Sequence, residues 1–185
     1  MKPLQAIAMG YVIIALFARQ GGYDLLADPL GWALVLLGVR RLPDPIDRAG
    51  LTYVGALALL VSIPLWVPDV LEAIAREDAS LAWAANLPAL AFAALLFRQL
   101  SQAAQGAGAV TAQMVLQGLF TLTLVVALLP ALVFGGGLTV LEDLAVGTEQ
   151  LLNLAAVVVL FTYSGHRWAG APESDVVGPP RPGSK

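Results

Sequence analysis

The sequence predicts an all-α protein: a polytopic membrane helical bundle of six transmembrane helices paired as three hairpins, with the N-terminus and C-terminus inside. Three observations predict it. The 185-residue chain is 58% hydrophobic and only 12% charged, with a mean hydropathy of +0.79, whereas a globular domain carries about 25% charged residues. That deficit leaves too little polar surface to face water, so lipid is the expected solvent for most of the chain. The apolar residues fall into six runs, and the charges sort to opposite sides once those runs are drawn as spans.

Crossing about 30 Å of hydrocarbon at 1.5 Å per residue takes roughly 20 apolar residues. The first run, residues 4–18, is shorter than that and follows Lys2. A secretory signal peptide is its alternative, but no small-x-small cleavage site follows and Arg19 stands where cleavage would occur. The second run, residues 25–39, contains Asp28 and ends before Arg40 and Arg41, which snorkel beyond it. A re-entrant segment is the alternative there, and it would need protein cover that a closed helix does not. Residues 49–68, 81–97 and 114–134 contain no charge and form the third, fourth and fifth spans. The sixth, 151–164, is short again and extends into polar flanks.

Between these, residues 69–80 read as an outer amphipathic turn or two, with Val70, Leu71 and Ile74 on one side. Residues 99–113, with Gln99, Gln102, Gln105 and Gly106-Ala107-Gly108, read as an inner linker. Residues 135–149 open on three glycines and continue acidic. The transmembrane domain is therefore expected over 1–168, and the Gly/Pro/Ser-rich residues 169–185 as a disordered cytoplasmic tail.

With the N-terminus inside, eight bases (Lys2, Arg40, Arg41, Arg48, Arg98, Arg167, Arg181, Lys185) fall inside and only Arg19 and Arg76 outside. Acids run the other way, nine outside and four inside. This positive-inside asymmetry sets the orientation, in the cell membrane with both termini cytoplasmic. Tyr23, Trp32, Trp66 and Trp83 fall near the outer interface, and Tyr163 and Trp168 near the inner one, where aromatic anchors are expected.

The absence of cysteine removes disulfides, thiolate metal sites and cysteine nucleophiles. A single histidine, His166, cannot build a histidine-rich metal site, and a net charge of -3 gives no electrostatic reason for nucleic acid. No catalytic motif stands in the chain. No enzymatic activity, no catalytic residue, no cofactor and no metal is expected, and the partners expected are the lipid bilayer, a neutral small molecule or another membrane protein.

Polar positions inside the runs carry what functional signal remains. Asp28 is the one acid that reaches below the interface, and in lipid an ionisable residue is a functional hypothesis. With Trp32, Asn86 and Asn153 it marks a candidate ligand pocket in the outer half, where Pro64 and Pro88 would kink their helices open. Gln117 and Thr121, four apart on one helix face, are expected to bond between helices, the commoner fate of such residues. Asp28 precedes Arg40 by twelve residues, as Asn86 does Arg98, and Asn153 precedes His166 by thirteen. A threefold hairpin repeat fits that spacing, and so do Asp and Asn acting as helix N-caps. Ala6 with Gly10, and Gly31 with Val35 and Gly38, allow helices to approach closely.

The segment 22–42 (GYDLLADPLGWALVLLGVRRL) resembles a hairpin region of uncharacterised small bacterial membrane proteins, a resemblance that implies no activity. In size, six helices and inner termini the chain resembles the substrate-binding S-components of energy-coupling-factor vitamin transporters. That resemblance implies that the first helix would dock a partner through Ala6 and Gly10. Two functions are thus expected: a small neutral-solute-handling or transport subunit, or a structural or assembly partner of a larger membrane complex without ligand.

Overall fold

The computed structural model describes residues 1–15, 19–20, 23–24, 28–66, 79–136 and 142–172. Among them are six helices: α1 (Pro3–Ala15), α2 (Asp28–Val39), α3 (Arg48–Leu65), α4 (Ala79–Gly106), α5 (Val110–Gly136) and α6 (Glu142–Tyr163). A 3-10 turn, Arg167–Ala169, follows α6. Two two-residue strands, β1 (Arg19–Gln20) and β2 (Tyr23–Asp24), pair antiparallel between α1 and α2 in sequence. Apart from that pair the described chain is an all-α helical bundle.

Local chemistry sets several helix ends. Pro3 opens α1, a position whose N–H would have no partner in any case. Asp47 caps α3, its carboxylate accepting from the Gly50 N–H at 3.0 Å. Helix α4 closes where Gly108 takes φ +71°, with the Ala109 N–H donating to the Ala104 carbonyl at 2.9 Å and the Gly108 N–H to Gln105 at 3.0 Å. This Schellman closure turns the chain straight into α5. The inner linker expected over 99–113 is therefore mostly helix, because its Ala and Gln are good helix formers and the reversal needs only 107–109.

Each helix packs on the next in sequence and α6 returns to α1, closing a ring. The most extensive contacts join α1 to α2 and α4 to α5, with α3 bridging the two pairs and α6 completing the circle. The expected hairpins α1–α2, α3–α4 and α5–α6 are three of the ring's six sides, and they differ in how extensively they pack. Neighbours run antiparallel: Gly38 lies against Pro3 and Ile7 while Gly31 lies against Ile14. Trp83 and Ser101 of α4 donate to the carbonyls of Ala127 and Gln113 of α5 at 3.1 and 3.2 Å. The Asp47 N–H, just before α3, donates to the Gln99 side chain of α4. One end of the ring gathers Lys2, Arg40, Arg41, Arg48 and Arg98 with the Arg167 turn, and there Gly170 packs on Pro3 and Pro43. Packing continues to Ala171, past the expected domain end at 168; the expected tail beyond 172 and nearly all of the expected turns over 69–80 lie outside the described residues.

The interior is built around α4, whose Phe92, Leu96, Phe97 and Leu100 are fully buried. Trp32 is buried too, its ring edge-on to Phe92 at 5.4 Å and 6.4 Å from Tyr11. It is a core residue and not the interfacial anchor expected of it, because α1 and α2 approach closely enough to enclose it. Facing outward instead are large apolar side chains: Tyr53, Leu57 and Leu60 on α3, Met114 and Leu128 on α5, and Leu151 and Leu154 on α6, from 51% to 78% exposed.

Two helical stretches, Arg48–Leu65 and Val110–Leu129, are long and apolar enough to cross a membrane, with mean hydropathies of 1.5 and 1.9. Three further apolar stretches are shorter. At 13 and 12 residues, α1 and α2 are about 20 and 18 Å long, below the hydrocarbon thickness.

Candidate functional site

A cavity of about 740 Å³ opens inside the ring where α4 and α6 face each other across α1. Its size lies within the range of small-molecule pockets. Helix α1 contributes Tyr11 and three of the four residues after it, α2 contributes Trp32, α4 contributes one face between Asn86 and Phe97, and α6 contributes residues between Gln150 and Val157. Trp32, Asn86 and Asn153 thus share one cavity. Asp28 is not among its described lining residues; it begins α2, about one turn before Trp32, where a carboxylate suits the positive end of the helix dipole.

Asn86 and Asn153 stand seven and eleven residues inside their helices, so neither is an N-cap. Helix α4 begins at Ala79 and α6 at Glu142, upstream of both asparagines. This leaves the amide groups on the helix flank, half-buried and turned to the cavity wall. With Gln150 they place three amides toward one end of the cavity, and Ala93, Phe97, Ala156 and Val157 form the other end. Among the described lining residues none is charged.

Tyr11 was not singled out from the sequence. Its hydroxyl is buried and has no hydrogen-bond partner among the described residues. Such an orphan costs about 1–3 kcal/mol, so it is a group that a bound molecule can satisfy. The sequence signal was a tyrosine in the middle of an apolar run, away from both interfaces where tyrosine is usually placed.

The remaining polar positions serve their own helices. Gln117 and Thr121 are exposed on α5, and the Thr121 hydroxyl donates to the Gln117 carbonyl of the same helix at 3.1 Å. Thr52, Ser62 and Thr123 do likewise, bonding to Arg48, Leu59 and Leu119 carbonyls. Hydroxyls have this local partner always within reach; Ser101 is the exception, and with Trp83 and Gln99 it supplies bonds between elements. The small residues of α1 are also used inside the chain: Ala6 is buried, and a Cβ on Gly10 would meet Val35 at 2.5 Å and the Gly31 carbonyl at 2.6 Å.

At the basic end, Tyr163, His166 and Trp168 form a ring cluster with centroids 5.5–5.6 Å apart. Arg48 pairs with Asp44 at 2.8 Å on an exposed surface, where such a pair adds little stability. No group of three or more His, Cys, Asp or Glu is placed to hold a metal among the described residues. No protein family model, curated protein or solved structure matches the chain.

Proposed function

We propose that this is a multi-pass cell-membrane protein of six helices that binds a small neutral solute in the cavity between α1, α4 and α6, as a solute-handling or transport subunit without enzymatic activity. The observation that carries this reading is the single cavity shared by Trp32, Asn86 and Asn153 with no charged group among its described lining residues. Amides hydrogen-bond an uncharged ligand without requiring a counter-charge, and among the described lining residues there is no carboxylate or imidazole for acid–base chemistry.

Membrane residence is supported by large apolar side chains covering the outward faces of α3, α5 and α6, an exposure too extensive for a water-facing monomer. The bases gathered at one end support an orientation with both termini cytoplasmic, and the cavity's amides then lie toward the outer side. The shorter α1 and α2 are accommodated by snorkelling Lys2, Arg40 and Arg41 and by local thinning of the bilayer.

The test is native mass spectrometry of the full chain extracted in a mild detergent. The expected result is a neutral adduct that survives gentle ejection from wild type and is missing from Ala93→Phe, whose ring obstructs the cavity partway between Asn86 and Phe97. An adduct retained by Ala93→Phe, or no adduct in wild type, overturns the solute reading. A second reading, an assembly partner without ligand, is favoured by the outward α5 face, where Gln117 and Thr121 are exposed and open space surrounds Gly118. A stoichiometric co-purifying membrane protein, with no adduct, would support it.

A further inference from the structure

The cavity is graded along its length, and the grading identifies the kind of molecule it fits. Asn86 and Phe97 are eleven positions apart on one helix, about 16 Å at 1.5 Å per residue, so the space is a slot more than a sphere. Asn86, Gln150 and Asn153 concentrate hydrogen-bonding groups at the end where α4 and α6 begin. Below them the wall is Ala93, Phe97, Ala156 and Val157, with no polar side chain. Tyr11 comes from α1 with its ring beside Trp32, and its hydroxyl is buried without a partner among the described residues.

Resting on the reading of this cavity as a binding site, we propose that its ligand is an uncharged, elongated amphiphile with a medium-length apolar body. Its polar head meets the three amides, its body runs toward Phe97, and an oxygen near the junction accepts the Tyr11 hydroxyl proton. Charge is selected against because no described lining residue offers a counter-ion, and desolvating an unpaired carboxylate is far more costly than desolvating an ester or hydroxyl. A head alone gains too little from the amides, which water satisfies equally well. The apolar body supplies the affinity and Tyr11 the selectivity.

The test uses the full chain in phosphatidylcholine nanodiscs with three probes: 1-decanoylglycerol, decanoate and glycerol. Binding is read by native mass spectrometry of the intact disc protein and by change in tryptophan fluorescence. For wild type, 1-decanoylglycerol is expected to bind saturably, decanoate at pH 8 at least tenfold more weakly, and glycerol not at all. Tyr11→Phe, which removes one oxygen and nothing else, should weaken 1-decanoylglycerol about fivefold, the worth of one net hydrogen bond. In the unliganded state the same variant should melt no lower than wild type, since the oxygen it removes has no partner to lose. That opposition, affinity down with apo stability kept or raised, is a signature a structural tyrosine would not give.

Equal binding of 1-decanoylglycerol to wild type and Tyr11→Phe, a lower melting temperature for the unliganded variant, or equal binding of decanoate overturns the amphiphile proposal. If Ala93→Phe still abolishes binding in those cases, the cavity remains the site and only the ligand class falls. If no probe binds wild type while native mass spectrometry still finds a cavity-dependent adduct, the ligand class again falls alone. Binding unchanged by Ala93→Phe overturns both readings.

Discussion

Toward α2, helix α1 presents Gly10 and packs so closely that a Cβ there would stand 2.6 Å from the Gly31 carbonyl, and one on Gly38 would stand 2.8 Å from that of Pro3. Toward α6 the same helix presents Tyr11 to Ala15 and borders a cavity of about 740 Å³. One helix of 13 residues thus has a sealed side and an open side. Missing side chains do not by themselves make space in a bundle: on the sealed side the backbones move in to consume it, as small residues permit in lipid. Space persists where two walls are held apart by other contacts, here α4 by α3 and α5, and α6 by α1 and α5.

The contrast can be broken in four places. The largest effect is expected from Gly10→Leu, whose side chain meets both Val35 and the Gly31 backbone; a cost above about 3 kcal/mol is expected, since backbone cannot step aside as a side chain does. Loss of the monodisperse peak in size-exclusion chromatography would register it, and normal recovery would mean that the seal is soft. Next comes Phe92→Ala, which empties the buried place under Trp32 at about 3 kcal/mol and should lower the thermal midpoint in nanodiscs by several degrees. Ala93→Phe adds as large a ring one residue further on, but toward open space, and its stability should stay within about 1 kcal/mol of wild type while ligand binding is lost. A midpoint drop like that of Phe92→Ala would show that the open side is not open in the membrane. Smallest of all is Gly118→Leu, with nothing within 4 Å of its Cβ, expected to change the midpoint by less than about 0.5 kcal/mol of stability. If that variant instead releases a co-purifying protein, the α5 face is an interface.

Much of this fold could be read from hydrophobic runs, since the position of each helix follows from where apolar residues cluster. Helix ends were harder to read. Residues 99–106 are polar enough to pass for a linker, yet α4 continues through them, because their Ala and Gln favour helix and Leu100, Ala103 and Ala104 still supply a buried face. At the other end, the N-terminal extents of α4 and α6 explain why Asn86 and Asn153, whose spacing also fits caps, are interior residues of their helices. Trp32, Asn86 and Asn153 were recognisable as polar or aromatic positions at one depth. Tyr11 was not, because its orphaned hydroxyl depends on which neighbours surround it, and no one-dimensional pattern carries that. Nor did the spacing of Gly10, Gly31 and Gly38 say whether they served a partner or, as the structure has it, each other's helices.

The length of α4 has a mechanical side. At 28 residues it measures about 42 Å, some 12 Å more than a typical hydrocarbon thickness, and residues 99–106 continue it beyond Arg98 at the basic end of the ring. From Ala89 to Gln105 it contains neither glycine nor proline, and the Schellman turn at Gly108 welds its tip to α5 without a loop. The two helices therefore form a stiff double rod whose end packs on the Arg167–Ala169 turn through a face where Leu100, Ala103 and Ala104 are buried, while Phe97, Ala93 and Asn86 line the cavity further along α4. A sideways load on the exposed tip at Gln105 would swing that wall as a lever does, changing the width of the slot without breaking a single helical hydrogen bond.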